Sequence, residues 1–330
     1  MTNPFNSENF QEEMKPKLSM AFKALEYENI ESSIQKACVE MSEKLGSETY
    51  EAICAKPEPA PDPEPTPEEE SEEQVEDLQE QETETANEEE ATDPGVKSEA
   101  LDYMQRAILH FALYHHIIYL IANVDNDGVT VTKSDDKTTI YKYQQDQLEE
   151  HLIGDAWFWL NRLIAFLNDH PVEFPEWADS QEHKDMEDLP VTIDDFNRYV
   201  GVNDITFLLY AGWIVREVYR ECILSRQAAD ASLSEVQKQA ICYDVMARAC
   251  CRLAYHALPS PIRIDMNNEM GKNHAAQADS TIREKVSGVF ADKAAAYWKN
   301  VDAELHKKQE SQTAEYVSSR RLTEKDKFVV

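Results

Sequence analysis

The sequence predicts an all-α, mainly helical fold of two similar halves, with a small β-hairpin and a disordered acidic insert. Three observations predict it. Glycine is scarce, at 8 in 330 residues, which argues against the many tight turns of sandwiches and barrels. Apolar side chains recur every three to four positions through most of the chain. The length, with 42% hydrophobic residues, is enough for two cores.

The elements follow in order. Glu8 to Leu25 and Asn29 to Leu45 read as helices; Ile30, Ile34, Ala37, Cys38, Met41 and Leu45 form the apolar stripe of the second. Gly46 stands where a helix C-cap is wanted, and Pro16 kinks the first helix or marks its true start. Pro57 to Pro94 contains no Lys or Arg and carries about half of the net charge of -32. Such a segment buries too little apolar surface to offset its ordering entropy, so a solvated disordered insert is expected. Helix resumes near Ser98 and runs to about Asn123, apolar on nearly every side, as in the centre of a bundle. Val129 to Thr132 and Thr138 to Tyr141, either side of polar Lys133 to Lys137, read as a hairpin projecting from the helical body.

A helix rich in Trp157, Phe158, Trp159 and Phe166 is predicted from about Gln144 to Leu167. His170 to Trp177 reads as an extended connection, because each proline biases its predecessor away from helix. Thr192 to Asp195 reads as a helix start and Asp204 to Cys222 as a second helix. Ser232 and Glu235 read as the capping box of a third, running to about Ala257 before Pro259 and Pro261. A last helix is expected from Ser280 to about His306. The organisation is therefore residues 1–56 and 98–170 as the first half, 57–97 as the acidic insert, 171–191 as the connection, 192–306 as the second half and 307–330 as a polar tail.

Internal duplication is predicted from shared order and spacing. Met104, Arg106, Ala107 and Ala112 are echoed by Met246, Arg248, Ala249 and Ala254; Ala156, Trp159, Leu163, Ala165 and Leu167 are echoed by Ala294, Tyr297, Val301, Ala303 and Leu305. The displacement stays near about 140 residues throughout. Helical periodicity alone produces some such matches, so the shared order carries the weight.

Composition excludes several function classes. A chain this acidic is repelled by phosphate backbones, and Lys307, Lys308, Arg320, Arg321, Lys325 and Lys327 are nearly balanced by Glu310, Glu315, Glu324 and Asp326, so specific nucleic-acid binding is not expected. Six cysteines without a C-x-x-C pair read as small core hydrophobes in a reducing compartment. The N-terminus lacks a basic segment followed by an apolar one, so no signal peptide is expected. Ala107 to Val124 is interrupted by His110, His115 and His116 and reads as a buried helix rather than a membrane span.

No enzyme template fits. H-E-x-x-H, G-x-S-x-G, the Walker A loop and G-x-G-x-x-G are absent, and no histidine has Glu three residues before it. His110 and His115 are five apart, and His115 and His116 adjacent, which does not place them on one helix face, so core or interface roles are expected for all three. Asp125-Asn-Asp127-Gly128 opens like a calcium loop, but its twelfth position is Asp136 rather than Glu. No catalytic, cofactor or metal residue is predicted. Three consecutive rings, Trp157, Phe158 and Trp159, cannot all enter one core. Trp157 or Trp159 is therefore the expected assembly contact, with packing against the other half as the equal alternative, and hairpin residues Val129, Val131 and Ile140 complete the candidate set.

Tyr103 to Phe111 (YMQRAILHF), Gly128-Val-Thr-Val-Thr, Phe174-Pro-Glu-Trp177 after Ile164-Ala-Phe-Leu-Asn168, and Val191-Thr-Ile-Asp-Asp-Phe196 resemble an uncharacterised protein family of tailed phages and prophages of anaerobic gut bacteria. The resemblance covers most of residues 98–306, and the acidic insert departs from it. It implies a head-tail connector or adaptor: a homo-oligomeric ring beside the portal or other neck and tail proteins, in the virion and, during assembly, the host cytoplasm. An acidic ring around a DNA exit channel repels the genome and lets it slide. The alternative reading is a non-enzymatic host-interaction protein whose acidic segment mimics DNA.

Overall fold

The computed structural model describes residues 2–5, 8, 10–18, 25–55, 94–125, 128–131, 142–226, 232–273 and 280–325. The described chain is mainly helical. A short π and 3-10 stretch from Phe10 to Lys17 precedes α1 (Tyr27–Leu45) and α2 (Ser47–Cys54); α3 (Pro94–Ile121), β1 (Ala122–Asp125), β2 (Gly128–Val131) and α4 (Lys142–Asp169) follow. Two short helices, α5 (Pro175–Asp179) and α6 (Gln181–Glu187), lead to α7 (Ile193–Val200), α8 (Thr206–Val218), α9 (Glu235–Arg252), α10 (Ser260–Asn273) and α11 (Ser280–Lys325).

The apolar stripe of α1 forms as its spacing dictates. Ile30, Ile34, Ala37, Met41 and Leu45 are fully buried, and Gly46 ends the helix with φ +81°, a conformation costly for a side chain. Packed against α1 is α3, which in turn lies along α4. Met104, Ala107, Ile108 and Phe111 of α3 meet Ala156, Leu160, Leu163 and Leu167 of α4 in a core that ends at Trp177. Trp177 is sealed, with its Nε1–H donating to Asn168 Oδ1 at 2.7 Å.

A separate core begins at Leu189 and is built mainly from α7, α8 and α9, with Ile282 and Val286 of α11. Thr192 and Asp195 form a reciprocal capping box at the start of α7, and Gly201 closes it in the left-handed conformation, φ +71°. Helix α9 lies between α8 and α11 much as α3 lies between α1 and α4. Each central helix carries an (i, i+4) ion pair at the same place: Arg106 Nε to Asp102 at 2.7 Å, and Arg248 Nε to Asp244 at 2.9 Å. The adjacent cysteines separate, Cys250 buried with its thiol pushed by burial up to about 12 and Cys251 exposed.

Several expectations need correction. The hairpin predicted between Val129–Thr132 and Thr138–Tyr141 is not seen: residues 132–141, Ile140 among them, lie outside the described residues. Val129 and Val131 pair instead with Val124 and Ala122, in a four-residue antiparallel ladder. The cap of α9 is Ser234 with Gln237, not Ser232 with Glu235; Ser234 Oγ accepts from Gln237 N at 3.3 Å, and the Gln237 side chain accepts from Ser234 N at 2.8 Å. Glu8 to Leu25 gives only the short turns of 10–17 among the described residues. The connection after His170 is largely helical, because Pro175 at a first turn needs no N–H partner and Ser180 caps α6 through His183 N. Helix α9 stops at Arg252, whereas α11 continues to Lys325, well past His306.

Candidate functional site

Polar side chains concentrate where the two halves meet. Helix α4 presents Glu150, Gly154, Trp157 and Asn161, a stripe at helical spacing, to the second half. Asn161 Oδ1 accepts from Thr206 N at 2.9 Å, capping the otherwise unsatisfied start of α8 from another helix. Arg263 of α10, only 2% exposed, donates through Nε to Glu150 at 2.7 Å and through Nη1 to the Leu258 carbonyl at 2.7 Å. Tyr255 donates to Asn267 Oδ1 at 2.8 Å and reaches Glu150 Oε2 at 3.3 Å.

Lys44 anchors the other side of this joint. Its ammonium lies 5.6 Å from the rings of Phe111 and Trp157 and 5.4 Å from that of Tyr210, a cage drawn from both halves. Burial pulls the Lys44 ammonium below its ordinary range against the opposing pull of Glu40 at 2.8 Å. Burial alone would raise the Glu40 carboxyl, but His115 at 2.9 Å and Lys44 outweigh it and hold it at about 2. His256 is pushed down chiefly by burial, with Lys44, Arg263 and His115 adding to the effect and Glu40 opposing it.

Trp157 is 5% exposed and meets Phe111 (5.1 Å) and Tyr210 (5.3 Å) edge to face. Its Nε1–H has no hydrogen-bond partner among the described residues. Beside it runs a cleft of about 10 Å³, lined among others by Asp204, Tyr210, His256 and Arg263 and large enough for a single water. The joint is thus a closely filled contact in which Arg263 is paired with Glu150 and Asn161 with Thr206.

The predicted residues therefore sort clearly. Trp157 is not an outward contact: it packs against the other half, the alternative weighed for it. Trp159 is half-buried, stacked on Tyr103 at 5.9 Å beneath the Arg106 guanidinium at 4.7 Å. The ring that points outward is Phe158, 54% exposed. Val129 and Val131 lie in β2, and Ile140 is outside the described residues. His110 donates from Nδ1–H to the Arg106 carbonyl at 2.7 Å, His115 meets Glu40, and His116 meets Ser33 at 3.4 Å. No group of three His, Cys, Asp or Glu side chains fit to hold a metal occurs among the described residues.

Outer helix faces carry the residues that sequence reasoning missed. Val39, Tyr119, Phe158, Trp213, Ile264 and Val289 are between 46% and 63% exposed. Around Trp213 the charges cancel, with Arg216 paired to Asp185 at 3.1 Å and Arg252 to Glu217 at 2.7 Å, so this face is not basic. Among the described residues no helix is long and apolar enough to cross a membrane.

Residues 68–186 and 214–321 match the model of a family of unknown function, DUF6712. The chain belongs to that family. No curated protein and no solved structure matches it.

Proposed function

We propose that this chain is a non-catalytic assembly protein, a head-tail connector or adaptor that forms a homo-oligomeric ring beside a phage portal. One observation carries the reading: most polar side chains of the joint are paired, while large apolar side chains are exposed on outer helix faces. Apolar surface that is contiguous and exposed on a folded body marks contact with other proteins. The phage assignment comes from the sequence resemblance. Internal duplication belongs to the same proposal. It is supported by the two matched segments, displaced by roughly 140 residues, and by the matching ion pairs of α3 and α9.

The acidic run from Pro57 to Pro94, without a single Lys or Arg, favours a second reading, a host-interaction protein that occupies a basic partner by mimicking DNA. Deleting Pro57 to Pro94 separates the two. Under the connector reading the protein is found in purified particles and the deleted chain still assembles. Absence from particles, together with loss of a basic partner on deletion, would replace it with the second reading.

A further inference from the structure

Helices α4 and α11 share a frame when Ala156 is set on Ala294. In that frame Ala156 and Ala294 are both buried, Leu163 and Val301 are both buried, Trp159 and Tyr297 are both half-buried, and Phe158 and Ala296 are both exposed. Burial diverges along one strip. Ile153 and Trp157 are buried, whereas their counterparts Ala291 and Ala295 are exposed.

On α4 that strip is closed by the second half, through Tyr210 on Trp157, Thr206 on Asn161 and Arg263 on Glu150. The matching strip of α11 is Gly288, Asp292, Ala295 and Lys299. A Cβ added at Gly288 would meet nothing within 4 Å, and Asp292, Ala295 and Lys299 are exposed. The face of α11 that corresponds to the α4 contact is thus open, with Gly288, Asp292, Ala295 and Lys299 in place of Glu150, Gly154, Trp157 and Asn161.

We propose that the α11 face around Ala291, Asp292 and Ala295 is closed in the assembled protein by the first half of a second copy of this chain. The contact continues between chains the packing that joins the halves within one. Such a contact is heterologous, using different surfaces on the two partners, and closes into a ring when its rotation permits. Short side chains at Ala291 and Ala295 let a helix of the next copy approach closely. The inference rests on the assembly reading above and adds to it a surface and a partner.

Native mass measurement of the full chain tests it, with Ala291→Arg combined with Ala295→Arg as the disruptive variant and Val172→Arg, at a 65% exposed site on the connection, as control. The wild type and the control are expected to assemble. The double variant, with unchanged helical circular dichroism, is expected at the 37.9 kDa of one chain, its association weakened at least about tenfold. Asp292→Lys reads the same face separately should the double variant not fold. If both variants assemble like the wild type, this surface is not the contact and the assembly reading stands. A wild type that stays monomeric overturns both.

Discussion

The helices around α3 and those around α9 differ in what lies against a similar ion pair. In each group, a central helix carries an aspartate and arginine pair (Asp102 with Arg106, Asp244 with Arg248) and runs beside another long helix with alanine and aliphatic residues on its inner face. In the first half Arg106 spreads over Trp159, and Lys17 at 2.8 Å shares Asp102. In the second, Asp244 also accepts from Trp298 Nε1 at 3.0 Å, and Arg248 is held by Glu217 and Glu221. Buried packing constrains a side chain's shape, whereas partners at the surface change with the neighbour that each helix meets.

Replacing Trp157 should be the most damaging single step. Trp157→Ala removes the ring that joins the halves and should cost about 3–5 kcal/mol in urea unfolding, while Ala295→Ser, at the equivalent exposed position, should stay within about 0.5 kcal/mol. Equal effects would dismantle the comparison. Arg263→Ala leaves Glu150 and the Leu258 carbonyl without their buried partner, and a loss of about 3 kcal/mol is expected by the same measurement. Smaller again, Asp244→Ala should cost about 2 kcal/mol and Asp102→Ala, which is one-third exposed, about 1 kcal/mol. A reversed order would show that the extra partners of Asp244 do not matter.

Acid should act mainly on the first half and the joint. Burial is the leading cause that holds His110, His116 and His256 below the ordinary 6.5. The stability gained by keeping them neutral is complete above that value and is lost as pH falls below it. Glu40, held at about 2 against an ordinary 4.5, contributes fully above 4.5 and loses its contribution as pH falls towards 2. Thermal melts across pH should therefore fall in two stages, and Glu40→Gln should flatten the lower one. A lower stage unchanged in that variant would remove Glu40 from the account.

Most of the helical framework was legible because apolar spacing is a local signal. Ile30 to Leu45 announced α1 and its glycine stop, and Thr192 announced the start of α7. What escaped was set by contacts distant in sequence. Three consecutive rings required that one point outward, but only the arrival of Tyr210 from the other half decides that Trp157 turns inward and Phe158 outward. Nothing near Lys44 signals a cage drawn from α3, α4 and α8, nor does Arg263 announce that it will lie buried against Glu150. The cap of α9 moved by two residues because Ser232 and Ser234 are each followed at the third position by a side chain able to complete the box, Glu235 or Gln237.

Sedimentation of the unmodified chain at micromolar concentration is the most direct measurement of whether the exposed helix faces are assembly surfaces. The account predicts a discrete species at a whole multiple of 37.9 kDa. A single 37.9 kDa species at every concentration would contradict it.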